Sequence, residues 1–378
     1  MGTGLPERHA FLVEWLDPKS GIIWKYQLIY HVDTKEVEMI DIKNRKTFLK
    51  KCKYEGVTPA MLFLGNTITV YARQLKIVDY ADDYTRSKLS SRQERTLAMV
   101  KPDAVQHLGK VVEAISHAGF VISNMKMCKL SKTEAQQFYA VHQGKPFYER
   151  LTDFMSSGRV VAMEVVGEGA IKGWRELIGP TDSNRAREQA PQSLRAQFGS
   201  DGTQNACHGS DAPDTAAAEL GFFFGQQVGR CDLGRNTTLC LIKPHAVKAG
   251  YAGPILDRIQ QVFSITALQM FNLDAANAGE FYEVYRGVVP AGEYSGMVDE
   301  LTSGPFIAIE VADRDGADPV EAFRELCGPA DPEIAKVLRP ESLRASFGIS
   351  KVKNGVHCTD LPEDGELETS YFFSILQQ

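Results

Sequence analysis

Seven consecutive residues, Asn205-Ala206-Cys207-His208-Gly209-Ser210-Asp211, carry types that could do chemistry together. A histidine beside Asn, Ser and Asp says little alone, because a lone His is more often a satisfied core or surface group. Its company changes that reading. Lys101 closes a short apolar run, and Arg175, Thr181 and Arg195 sit in blocks that recur later in the chain. Guanidinium forks grip phosphate oxygens bidentately and an ammonium supplies a compact charge. Two Arg, one Lys and one Thr around an imidazole describe a phosphate-handling site. A neutral imidazole, with an unperturbed pKa of about 6.5, is available as a nucleophile at neutral pH. The chain has no G-x-x-x-x-G-K-[ST], no kinase Gly-rich loop and no H-R-D motif. Phosphoryl transfer here needs another architecture.

The chemistry-bearing blocks occur twice. TLAMVKPDAV (96–105) matches TLCLIKPHAV (238–247), and SGRVVAMEV (157–165) matches SGPFIAIEV (303–311). WRELIGPTD (174–182), SLRAQFG (193–199) and NACHGSD (205–211) match FRELCGPAD (323–331), SLRASFG (342–348) and NGVHCTD (354–360). Matched blocks in one order mean a duplicated domain. Copy one spans 93–225 and copy two 236–378, with the Gly-rich, polar stretch 225–236 read as a linker. Residues 1–90 have no counterpart. There Trp24, Tyr26, Leu28 and Tyr30, then Val37, Met39 and Asp41, alternate, as do 68–71 and 75–78 between turn signals. This predicts a small, mainly antiparallel β domain.

Within copy one, Thr96–Val100 reads as a strand. Val111, Val112, Ile115 and Ala118 have helical spacing that Gly119 ends. Phe120–Leu130 alternates, and Ser131 with Glu134 forms a capping box. Phe147, Leu151, Phe154 and Met155 mark another helix, and Val160–Val166 is the most apolar strand and the expected sheet centre. The order predicts a ferredoxin-like α/β sandwich in each copy, an α+β architecture overall.

The motifs K-P-D-A-V, N-x-x-H-G-S-D and SGxVVAMEV resemble nucleoside diphosphate kinases, and both copies do so along their full length. The resemblance implies transfer of a γ-phosphoryl group from ATP or another nucleoside triphosphate, with Mg²⁺, through a phosphohistidine. It implies His208 as nucleophile of copy one. Lys101, Tyr139, Arg175, Thr181, Arg195 and Asn205 would contact phosphate and ribose, Phe147 would stack on the base, and Ser210 and Glu219 would support the His. No dedicated side-chain metal site is expected. Copy one departs from the family pattern at Gln204, where an Arg is usual. Copy two keeps Lys243, Tyr282, Arg324, Arg344, Asn354, His357 and Glu368. It departs at His245 for Asp, Ala330 for Thr, Cys358-Thr359 for Gly-Ser, and across the remodelled stretch 286–295, where Tyr294 is the candidate stacking aromatic. Losing one hydrogen bond to a charged phosphate costs roughly 1.5–3 kcal/mol, so copy two is expected to be weak or inactive.

The order of parts resembles ciliary members of this family with an N-terminal DM domain, on FLVEWLDP (11–18), KNRKTFLKKCKY (43–54) and RQLKIVDYADDYT (73–85). That implies tubulin, doublet microtubules or the γ-tubulin ring complex as partners, in the cytoplasm and cytoskeleton, at the cilium or flagellum axoneme, basal body or centrosome. The alternative is a structural doublet-microtubule scaffold with little turnover. Charge agrees: residues 1–94 carry +3 and the remainder −9, with six cations and no acid in 43–53. The net −6 argues against nucleic-acid binding. No apolar run of membrane-spanning length occurs, so no membrane association is expected. Seven scattered cysteines without C-x-x-C favour a reducing compartment. A monomer with the two copies paired internally is the expected assembly.

Overall fold

The computed structural model describes residues 7–90, 94–226, 228–229, 231 and 233–376. The remainder of the predicted N-terminal segment (1–6), of the linker (227, 230 and 232) and of the copy boundaries (93, 377 and 378) lies outside the described residues.

The N-terminal unit is a six-stranded antiparallel sheet: β1 (Arg8–Leu16), β2 (Ile23–His31), β3 (Glu36–Asp41), β4 (Lys46–Lys53), β5 (Thr67–Val70) and β6 (Arg73–Tyr80). Its order is β4-β3-β2-β1-β6-β5. Alternation drives it: Tyr26, Leu28 and Tyr30 of β2 and Val37 and Met39 of β3 enter one core. The helix Asp83–Leu89 closes the unit. The Asp82 carboxylate caps it by accepting from Thr85 N at 2.7 Å. The Thr85 hydroxyl in turn accepts from Ala10 N.

Copy one contributes β7 (Glu94–Val100), β8 (Val121–Lys129), β9 (Arg159–Gly167) and β10 (Cys207–Gly209). Copy two contributes β11 (Thr237–Ile242), β12 (Ser264–Phe271), β13 (Phe306–Ala312) and β14 (Val356–Cys358). All eight form one sheet, β10-β7-β9-β8-β12-β13-β11-β14. Within each copy the order is fourth, first, third, second, the ferredoxin-like arrangement. The expected sheet centre needs adjustment: β9 lies between β7 and β8, but the joined sheet has its middle where β8 meets β12 at Lys126–Gln269.

Helices explain the join. Leu108, Val111, Val112 and Ile115 line the inner face of helix Leu108–His117, which ends at Gly119 with φ +83°. It crosses helix Ala252–Val262 of copy two. A Cβ on Gly109 would lie 2.2 Å from Asp257 N, and one on Gly253 2.5 Å from Glu113 N, so only glycine permits this approach. Gln260 bridges the crossing, accepting from Gly109 N and donating to Val105 O. One apolar core therefore runs through both copies.

The stretch read as a linker is docked. Val228 is buried in copy one's outer core, and Lys126 Nζ donates to its carbonyl at 2.8 Å. The Glu134 carboxylate accepts from Gly229 N, and Glu310 from Gly234 N. Polar composition signalled a free tether, but these backbone groups find partners on both copies. The N-terminal unit also touches copy two: Thr69 Oγ1 donates to Thr302 O, and Lys248 Nζ to Glu55 O. No helix among the described residues is long and apolar enough to cross a membrane.

Candidate active site

His208 is the middle residue of β10, so its side chain leaves the sheet opposite to Cys207 and Gly209. Gly209 permits this local packing, because a Cβ there would lie 2.5 Å from Trp174 Cδ1. Trp174 Nε1 donates to the His208 carbonyl at 3.0 Å and fixes the strand. The imidazole Nε2 lies 3.0 Å from Glu219 Oε1. Ser210 Oγ donates to the other carboxylate oxygen at 2.5 Å and accepts from Leu97 N. A carboxylate can only accept here, so it holds the proton on Nε2 and leaves the Nδ1 lone pair free. Phe138 and Tyr139 pack edge-on against the imidazole at 5.3 and 5.9 Å.

Along the segment that carries His208 the structure gathers cations and orphaned polar atoms. Lys101 is buried, with Nζ donating to Thr203 O at 3.3 Å. Burial, aided by Arg195, pulls its ammonium down to about 8. Arg195 is pinned by Gly179 O and Cys207 O, and burial also lowers it. The Asn205 amide donates to Thr181 O at 2.8 Å. Its Oδ1 and the buried Tyr139 hydroxyl have no partner among the described residues. Buried polar groups are normally paired, so these two unpartnered atoms near the imidazole fit a polar ligand. Arg175 and the Thr181 side chain are exposed at the mouth, and Phe147 stands half-exposed just before helix Tyr148–Ser157. Asp103, beside the Lys101–Pro102 turn, accepts from Ala206 N at 3.1 Å, and burial raises its carboxyl. Ala206 adopts φ +64°, a left-handed backbone unusual for a residue with a Cβ. Among the described residues no group of three or more His, Cys, Asp or Glu side chains could hold a metal ion.

Copy two rebuilds the centre and closes its mouth. His357 Nε2 lies 3.1 Å from Glu368 Oε2, and Thr359 Oγ1 donates to the same oxygen. Thr359 therefore supplies the hydroxyl that Ser210 supplies in copy one. Lys243 donates to Val352 O, and burial with Arg344 pulls it down to about 7. Asn354 donates to Ala330 O, so the missing Thr side chain leaves that backbone bond intact. His245 replaces Asp103 functionally: its Nε2 accepts from Gly355 N at 3.1 Å while Nδ1 lies 2.7 Å from the buried Glu300. Gly355 takes φ +87° where copy one has strained Ala206.

Two features of copy two differ from expectation. Tyr294 is not placed as a stacking aromatic. Its hydroxyl donates to Gly279 O at 3.1 Å, as Tyr148 donates to Gln136 O in copy one. It is the counterpart of Tyr148, and the Phe147 position falls on Glu293, inside helix Ala291–Leu301. Second, Arg324 is ion-paired with Asp360, whose other oxygen accepts from Tyr285 Oη at 2.6 Å. Tyr285, Arg324 and Asp360 thus meet over the site, and the His357 side chain is 6% exposed against 20% for His208. Sequence inspection passed over Tyr285, Asp360 and Glu300, because their significance lies in contacts between distant segments.

Comparison with known proteins decides the family. The nucleoside diphosphate kinase family matches residues 94–228 and 236–377, most of the chain. The chain belongs to the nucleoside diphosphate kinase family. The N-terminal segment, read above as DM-type, matches over residues 4–91 the nucleoside diphosphate kinase 7 N-terminal PH domain. Nucleoside diphosphate kinase homolog 7 of Rattus norvegicus is 50% identical over 376 residues, covering 98% of this chain and 94% of its own. The Mus musculus homolog 7 gives the same identity and coverage. A nucleoside diphosphate kinase of Aquifex aeolicus is 50% identical over 133 residues, 35% of this chain and 94% of its own. The family's single-domain length thus corresponds to one copy here.

Proposed function

We propose that copy one transfers a γ-phosphoryl group between nucleotides through phospho-His208. The observation that carries this reading is the Nε2–Glu219 contact, which leaves Nδ1 as the free nitrogen on a strand whose preceding carbonyls, Ala206 O and Cys207 O, are held by buried Lys101 and Arg195. Nδ1 attacks the γ-phosphorus of a bound nucleoside triphosphate, an N–P bond forms, and the bond to the β-phosphate oxygen breaks. A diphosphate then takes the group back by the reverse displacement. Glu219 stabilises the positive charge that grows on the ring. Lys101 and Arg195 stabilise charge on the transferring oxygens, where most of the catalysis lies. Exposed Phe147 gives any base a stacking face, which tolerates all nucleotides.

Magnesium fits this site as a nucleotide-borne ion. Mg²⁺ is commonly held by one or two carboxylates plus substrate phosphates. Asp211, whose carboxylate is kept below its usual range by the Thr215 hydroxyl and by nearby Arg175 and His208, is the carboxylate at hand. Bound there, the ion would neutralise phosphate charge.

Exposed Lys46, Lys50 and Lys53 lie on edge strand β4 and make that edge cationic, which suits acidic tubulin. We place the protein at ciliary microtubules or at γ-tubulin-containing basal bodies and centrosomes. A second reading, a microtubule scaffold with little turnover, is favoured by the closed mouth of copy two. The test of transfer is label from γ-labelled ATP, followed by a diphosphate chase. Label that His208→Ala removes and that the diphosphate discharges from wild type is expected; label indifferent to His208 leaves the scaffold. Charge reversal at Lys46, Lys50 and Lys53 is expected to weaken co-sedimentation with doublet microtubules, and unchanged co-sedimentation would remove the cationic edge as the contact.

A further inference from the structure

Copy two holds three cysteines in one place where copy one has none. Cys240, Cys327 and Cys358 occupy the positions of Ala98, Ile178 and Gly209. The change is one packing event. Copy one needs Gly209 because Trp174 fills the space above it. Copy two has Phe323 instead of Trp174, and the Cys358 side chain takes the vacated volume. Cys358 sits directly opposite Cys240 across the antiparallel pair β14–β11. All three thiols are free and buried in the same core cluster.

Neighbours distinguish Cys358 from an inert core thiol. Arg344 Nη2 lies 3.4 Å from its sulfur. Cys327 is brought to the same cluster by helix Val320–Cys327, which packs against β14, and its nearness with the Arg344, His357 and Arg324 charges lowers the Cys358 thiol below its usual range. Cys327 and Cys240 are pushed the other way by burial. Thiolate character beside a cation marks a reactive cysteine. Access follows from topology: β14 is three residues long and is the last strand of the sheet, so local opening of that edge exposes the sulfur. Cys327 is the last residue of helix Val320–Cys327, before Gly328 at φ +78°, whereas Cys240 is held on interior strand β11 between β13 and β14.

We infer that Cys358 and Cys327 form a hydroperoxide-sensitive dithiol attached to the phosphate-site arginine of copy two. The Cys358 sulfur attacks one oxygen of the hydroperoxide and the O–O bond breaks, leaving a sulfenic acid and, for hydrogen peroxide, water. The Cys327 thiol then attacks the sulfenyl sulfur. An S–S bond forms, the S–O bond breaks, and a second water leaves. The peroxide takes up two electrons and the two thiols lose them. The disulfide removes the sulfur partner from Arg344, which also binds Gly328 O and Val356 O.

The test uses the full chain and hydrogen peroxide, with peptide mapping of each cysteine. Cys358 is expected to be oxidised about tenfold faster than buried Cys128 and Cys207, whose thiols burial pushes up to about 12. The product expected is a Cys327–Cys358 cross-linked peptide. In Cys327→Val the disulfide disappears and a 1,3-dione traps the Cys358 sulfenic acid. Circular dichroism confirms that the variant folds; the wild-type mapping stands without it. Oxidation of Cys358 no faster than Cys128, or a Cys240–Cys358 bridge instead, would overturn the assignment. The readout is at sulfur, so it is independent of whether either copy transfers phosphate.

Discussion

The two copies share a histidine, a carboxylate and a hydroxyl in one geometry, and differ in what surrounds them. In copy one the His208–Glu219–Ser210 set lies below a mouth where Arg175 and Phe147 face solvent. In copy two the His357–Glu368–Thr359 set lies below Tyr285, Arg324 and Asp360, which satisfy one another. Duplication kept the histidine and its support while the shell around them changed. Retaining a catalytic histidine is therefore a weaker sign of activity than retaining free cations and a stacking surface around it.

The largest expected effect breaks the comparison at the carboxylate. Glu219→Gln should slow phosphoenzyme formation about a hundredfold, because the tautomer and the growing ring charge lose their support. Glu368→Gln should leave total turnover nearly unchanged. Equal losses from both, measured by rapid quench, would mean that both copies work. The next effect sharpens the comparison by opening copy two. In a His208→Ala background, Tyr285→His, which gives copy two the residue that copy one has at 142, loosens the closure over Arg324 while keeping Asp360, the counterpart of Asp211, and should raise labelling of His357 about tenfold, the value of one charged hydrogen bond.

A proton-linked effect follows from the buried lysines. Lys101 and Lys243 titrate at about 8 and about 7 in the folded chain, below their ordinary 10.5. Between those values the unfolded chain binds more protons than the folded one. Stability of the ligand-free chain should therefore rise as pH increases from about 8 to 10. Phosphate binding restores the ammonium, so nucleotide binding near pH 8 should take up a proton. Calorimetry in buffers of different ionisation enthalpy would show this, and Lys101→Met should abolish copy one's share. The smallest effect tests the backbone difference. Ala206→Gly, which gives copy one the residue that copy two has at 355, should relieve left-handed strain and stabilise the chain by about 0.5–1 kcal/mol in urea unfolding.

Much of the fold was legible because short-range rules act there. Ser131 with Glu134 does form a capping box, Gly119 does end its helix, and alternation in 23–31 and 36–41 does build strands. The duplication exposed the residues around His208 by repeating them. Illegible features depend on contacts between remote segments. The Tyr285–Asp360–Arg324 closure draws on three separate segments, and no local pattern joins them. Tyr294 misleads as a stacking aromatic because it aligns with Tyr148, one residue after the Phe147 position, and its hydroxyl is turned onto Gly279 O. The docked stretch after Gly225 has the composition of a tether, yet its amides and carbonyls bind both copies.

The most direct measurement is phosphohistidine mapping on the wild-type chain after a brief pulse of ATP and Mg²⁺, under conditions that preserve acid-labile phosphate. The expected result is phosphate on His208 Nδ1, discharged by a nucleoside diphosphate, with His357 largely unmodified. Phosphate on His357 at an equal rate, or on neither histidine in folded protein, would contradict the division of labour between the two copies.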